Sequence, residues 1–108
     1  MATDADQRLS TGSGLTQAEI AQLAAVLKHY PQVEQAVLFG SRAKGTARAN
    51  SDVDLALYGA LDDRTVAQIA LEMDELPLPY LFDIKAFENL RNPALVEHIR
   101  RVGLPVYP

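Results

Sequence analysis

The chain has 108 residues, 48% of them hydrophobic and 22% charged, with a formal net charge of −4 and no cysteine. The length suits one domain, the missing cysteines exclude a disulfide framework and thiolate zinc sites, and the acidity argues against a general nucleic-acid binder. No run of 18 apolar residues and no signal-peptide core are present, so the expectation is a soluble, cytoplasmic protein.

Residues 1–14 are small and polar and end in Ser10-Thr11-Gly12-Ser13-Gly14. Such a composition cannot offset its ordering entropy, and it reads as a flexible tail ahead of a single domain over 15–108. Thr16-x-x-Glu19 forms a capping box for a first helix. The helix carries Ile20, Leu23, Ala24, Leu27 and Tyr30 on one face and stops at Pro31. Ala36 to Phe39 is a short apolar run closed by Gly40, a buried strand. A connection rich in Gly, Lys and Arg follows from Gly40 to Ser51, with a short helical turn expected at Ser41 to Lys44. Val53, Leu55 and Leu57 alternate with Asp52, Asp54 and Ala56, the period of a second strand with two unlike faces.

Asp62 or Asp63 caps a second helix with the stripe Val66, Ile69, Ala70, Met73 and Leu76. Beyond Pro77 and Pro79, Tyr80 to Phe87 reads as a third strand. It sets Leu81, Asp83 and Lys85 on one face and Phe82, Ile84 and Ala86 on the other. Asn92-Pro93 opens a last helix through Leu95, Ile99 and Val102. Gly103 stands at its C′ position, and Leu104 to Tyr107 forms a closing strand. This order is that of an α/β domain. His29 and His98 fall on helices and read as surface residues.

Chemistry concentrates between Gly40 and Asp54. A strand that runs into Gly40-Ser41 at the start of a helical turn offers backbone N–H groups and a hydroxyl to an anion. Arg42, Lys44 and Arg48 add three cations before the first acid, which points to a phosphate-bearing ligand. Asp52 and Asp54, two apart on a strand, aim both carboxylates at one side. Side chains so spaced can share one divalent ion or bracket two. Asp83, flanked by Phe82 and Ile84, would be costly as an isolated carboxylate; beside Asp52 and Asp54 it completes an oxygen cage suited to Mg²⁺ or Mn²⁺. Competing motifs fail. Gly40-x4-Gly45 is followed by Thr46 and lacks the Walker A lysine. An EF-hand begun at Asn50 would meet Leu55 where glycine belongs and Leu61 at its acidic position. The two histidines, without cysteine or a nucleophile elbow, support neither a zinc hydrolase nor a triad enzyme.

Gly40-Ser41, ten intervening residues and Asp52-Val53-Asp54 together resemble the motif of DNA polymerase β-like nucleotidyltransferases, in particular the minimal nucleotidyltransferases of bacteria and archaea. The resemblance runs from Thr16 to Tyr107 and takes in Phe82-Asp83-Ile84 and Ile99-Arg100-Arg101-Val102-Gly103. It implies a mixed sheet of three to four strands flanked by helices. It also implies Mg²⁺-dependent transfer of a nucleoside monophosphate, AMP above all, from an NTP to a hydroxyl, with release of pyrophosphate. By that resemblance Asp52, Asp54 and Asp83 hold the metals, and Asp83 is a base for the acceptor. Gly40, Ser41, Arg42 and Lys44 bind the nucleotide. Family members of this size act beside a helical HEPN-type protein, in some pairs as an antitoxin that adenylylates a tyrosine of the toxin. The alternative is an interaction protein that neutralises such a partner by binding alone. The small size carries its own expectation: a catalytic core without its acceptor-binding half needs a partner.

Overall fold

The computed structural model describes residues 14–44 and 52–108. The expected N-terminal tail, apart from Gly14, and the cation Arg48 lie outside the described residues. The elements run in the expected order: α1 (Gln17–Leu27), β1 (Gln35–Phe39), α2 (Gly40–Lys44), β2 (Val53–Tyr58), α3 (Asp63–Asp74), β3 (Phe82–Ala86), a 3₁₀ turn (Phe87–Asn89), α4 (Pro93–Val102) and β4 (Leu104–Tyr107).

Four strands form one mixed sheet in the order β3-β2-β1-β4. β1 pairs antiparallel with both β2 and β4, whereas β2 and β3 run parallel. A parallel pair cannot be joined by a tight turn, and α3 supplies the crossover. Alternation along the strands then assigns two faces. Ala36 and Leu38 of β1, with Val53, Leu55 and Leu57 of β2, enter the larger core with Leu23 and Leu27 of α1 and Ile69 and Met73 of α3. Val37, Phe39 and Ala56 point the other way and meet Ile99 of α4, with Tyr58, Phe87 and Leu95 packed around them.

Local signals set most boundaries. The Thr16 capping box forms as expected, with Glu19 N–H donating to Thr16 Oγ1 at 3.1 Å and Thr16 N–H to Glu19 Oε1 at 2.9 Å. Asp62, of the two candidates, caps α3 by accepting from Thr65 N–H at 2.8 Å. Asn92 caps α4 with Pro93 in its first turn. Three expectations shift. α1 ends at Leu27, four residues before Pro31, because Tyr30 leaves the helix and its hydroxyl donates to Glu72 of α3. β3 is trimmed to Phe82–Ala86, and Phe87 turns into the 3₁₀ segment to stack on Tyr58 at 4.3 Å. Gly103 closes α4 with φ −59° rather than in the left-handed conformation of a C′ glycine. What it needs is room, since a Cβ there would overlap Val37 Cγ1 and the Ile99 carbonyl oxygen.

Candidate functional site

The register of three neighbouring strands places the acids. Asp54 lies opposite Phe39, the last residue of β1, on one side and in register with Asp83 of β3 on the other. Asp52 precedes β2 directly. Because Asp54 and Ala56 face away from the larger core, the acids share the sheet face that α4 covers in part. Asp54 is half-buried and Asp52 and Asp83 are exposed.

Gly40 is where chain direction and chemistry meet. Its φ is +74°, and a Cβ built there would strike the Asp54 carboxylate. Glycine is required twice over, for a left-handed backbone and for the space that the carboxylate occupies. This is the physical content of a glycine held at fixed distance from an aspartate in the motif: β1 and β2 pair, and the residue just past β1 receives the side chain of Asp54.

Charge accumulates at the same point. Burial pushes the Asp54 carboxyl above its ordinary value, and the charges of Asp83 and Asp52 push it further, while Lys85 and Arg42 pull it down. A carboxylate raised by two neighbouring acids belongs to an all-oxygen donor set, the kind suited to a hard, oxygen-seeking cation. In the side-chain positions present, no group of three acidic, histidine or cysteine side chains among the described residues is close enough to hold one ion. Asp83 accounts for part of this. Rather than bearing an isolated carboxylate in an apolar setting, it is exposed and pairs with Lys85 at 3.5 Å. Among the described residues the sheet face there is open, so desolvation does not force Asp83 inward.

The cations are placed differently from a row of phosphate contacts. Ser41 is half-buried as the second residue of α2. Arg42 is only 1% exposed, and its guanidinium lies over the Tyr80 ring at 4.6 Å. Arg42 therefore supplies positive potential to Asp54 from inside the fold. Tyr80 in turn donates to Glu19 Oε2 at 2.9 Å, which joins Arg42 to the capping box of α1. Burial and then the bond to Glu19 push the Tyr80 hydroxyl up. Lys44 ends α2, and its side chain lies outside the described residues.

Two residues in this setting carried no motif. Lys85 shares the Asp83 face, and the spacing of the two along one strand already allowed the ion pair that the structure shows. His98 is half-buried rather than a surface residue. Its Nε2 accepts the Gly40 N–H at 3.1 Å, and its ring meets Phe39 edge-on at 6.3 Å. His29, by contrast, is exposed and lies 3.3 Å from Glu72. A cavity of about 500 Å³ between Glu34, Tyr58, Glu88 and Pro108 sits at the opposite end of the β1–β2 ladder from Asp54 and shares no residue with the acids. Among the described residues no helix is long and apolar enough to cross a membrane.

Comparison with known proteins agrees with this geometry. Residues 21–108 match the family model described as Polymerase beta, Nucleotidyltransferase. No curated protein sequence is significantly similar to the chain. Solved structures share the fold. A toxin–antitoxin complex with AMP-PNP superposes with a TM-score of 0.68 at 23% identity, over 81% of this chain and 71% of that one. The MntA–HepT toxin–antitoxin complex gives 0.65 at 20% identity, over 84% and 71%. The complex of a tri-AMPylated HEPN toxin with its MNT antitoxin from Shewanella oneidensis gives 0.65 at 19% identity, over 83% and 70%.

Proposed function

Since the chain belongs to the polymerase β nucleotidyltransferase family, we propose that it transfers a nucleoside monophosphate, AMP in the first instance, from an NTP to a hydroxyl of a helical HEPN-type partner protein and so acts as an antitoxin. The observation that carries this reading is Asp54, seated against the side-chain-free Gly40 and pushed up by burial and by Asp83 and Asp52. A fold keeps such a charge cluster at a cost to its own stability, which is the mark of a functional site. The AMP-PNP and AMPylated-toxin complexes, which the chain resembles in fold, support the choice of AMP.

In this mechanism Asp52, Asp54 and Asp83 would hold magnesium, or manganese in its place, once Asp83 exchanges Lys85 for the ion and turns toward Asp54, its register neighbour. A divalent ion bound there would supply polarisation of the α-phosphate and neutralisation of the charge on the leaving pyrophosphate. Gly40 leaves room for the nucleotide-side carboxylate. Ser41 and Lys44 contact the β- and γ-phosphates, and Arg42 holds the local potential positive from below. Asp83, exposed on β3, takes the proton of the acceptor hydroxyl. The acceptor oxygen then forms its bond to the α-phosphorus as the bond from that phosphorus to the β-phosphate oxygen breaks. The cytoplasm, where NTP and magnesium are abundant, is the setting this reaction calls for.

The test is incubation of the protein with magnesium, labelled NTPs and the product of the adjacent gene, read by mass spectrometry. A partner that gains AMP with wild type, but not with Asp52→Ala/Asp54→Ala, supports transfer. A tight complex whose partner stays unmodified, together with no calorimetric binding of magnesium–ATP, overturns it in favour of neutralisation by binding alone.

A further inference from the structure

We propose that His98 is a positioning residue for the nucleotide site: by accepting the Gly40 N–H it fixes the peptide from which the Gly40-Ser41 turn departs. The inference rests on the nucleotidyltransferase reading above and assigns a residue of α4 to that same site.

The argument begins from the Gly40 amide. The β1–β2 ladder ends at the pair Phe39–Asp54, and α2 begins at Gly40. The Gly40 N–H is thus past its strand and at the front of a helix, where the first amides have no intrahelical acceptor. A half-buried donor without a partner is costly, and a glycine at φ +74° has the freedom to rotate toward another one. His98, 58 residues further along the chain, supplies the acceptor at 3.1 Å.

Its imidazole is itself held in place. The ring packs edge-on against Phe39 at 80°, and its neighbour Ile99 is buried against the same sheet face. An Nε2 that accepts places the ring proton on Nδ1 and leaves the imidazole neutral. The turn is therefore pinned without a further charge beside Asp54. A change in the Gly40 φ would redirect Ser41 and α2, and the space beside the Gly40 Cα is already taken by the Asp54 carboxylate, so the bond to His98 bears on both halves of the motif.

The experiment uses the full chain and three measurements. In wild-type protein, ¹⁵N NMR is expected to find His98 Nε2 unprotonated and coupled through the hydrogen bond to the Gly40 amide. A protonated Nε2 at neutral pH overturns the assignment without any mutation. His98→Phe keeps the ring contact and removes the acceptor, and magnesium–ATP affinity by calorimetry is expected to fall about tenfold, the worth of one such bond. His98→Gln, which restores an acceptor at similar reach, is expected to recover most of that affinity. A folded His98→Phe variant with wild-type affinity overturns the role of His98 and leaves the family reading intact. Wild type that binds no magnesium–ATP overturns the enzymatic reading itself, and this inference with it.

Discussion

Asp54 is ionised at a cost. Burial first, and the nearby Asp83 and Asp52 second, raise its carboxyl above the ordinary value. The folded state thus binds a proton more tightly than the unfolded chain, and its stability declines as pH climbs from the ordinary aspartate range, near ~4, through the raised value. Asp54→Asn removes that penalty. The expected result is a higher Tm than wild type at neutral pH, a gain that vanishes at acid pH, and nucleotidyl transfer lost by about 100-fold or more. Paired melting curves and an AMP-incorporation assay across pH check it. Asp83, exposed and paired with Lys85, answers differently: Asp83→Asn should leave Tm within about a degree and slow transfer by ~100-fold, the ordinary worth of a general base. Gly40→Ala sets a left-handed backbone and an occupied space against each other. It is expected to cost about 2 kcal/mol and to displace the Asp54 carboxylate far enough to lower the rate by ~100-fold, as denaturant titration and kinetics would show.

Elements matter here through their ends. The capping box at Thr16 is local, formed between residues three apart, and so it was legible before any tertiary contact was known. Thr16→Ala is expected to cost ~1 kcal/mol, with a further effect that propensity alone does not predict. Glu19 also accepts from Tyr80, whose ring carries the buried Arg42, so loosening the cap loosens a support of the site. Chemical denaturation of Thr16→Ala, with and without magnesium–ATP, separates the two contributions. The same dependence on remote partners explains the boundaries that shifted. Pro31 is a sound helix stop, yet α1 ends earlier because Tyr30 gains Glu72. Gly103 is a sound C′ glycine by position, yet its role is to let α4 approach Val37. Neither partner is near in sequence.

At the scale of the whole molecule, α1 and α3 seal one sheet face, and among the described residues α4 covers the other only in part. The open part is where Asp54, Asp83 and Lys85 lie. An arrangement held by two apolar clusters, with its acids at a solvent edge, should gain stability from a ligand that neutralises those acids. Magnesium–ATP at 100 times its Kd is expected to stabilise wild type by about 2.7 kcal/mol by mass action. It should leave Asp52→Ala/Asp54→Ala unshifted, as thermal denaturation with and without nucleotide would report.

Element order, the helix N-termini and the placing of the acids along their strands were legible in local pattern. Each of these rests on contacts or periodicities within a few residues: Thr16 with Glu19, Asp62 with Thr65, the alternation around Asp52 and Asp54, and Gly40-Ser41 ahead of them. The directions of Arg42 and His98 came from contacts between distant parts of the chain. Arg42 is buried beneath Tyr80, and His98 reaches back to the Gly40 amide. Those outcomes depend on partners 38 and 58 positions from Arg42 and Gly40 and on how completely a helix covers its face of the sheet. Local pattern carries no record of either, because side-chain direction is settled by the free energy of burial and pairing after the strands have met.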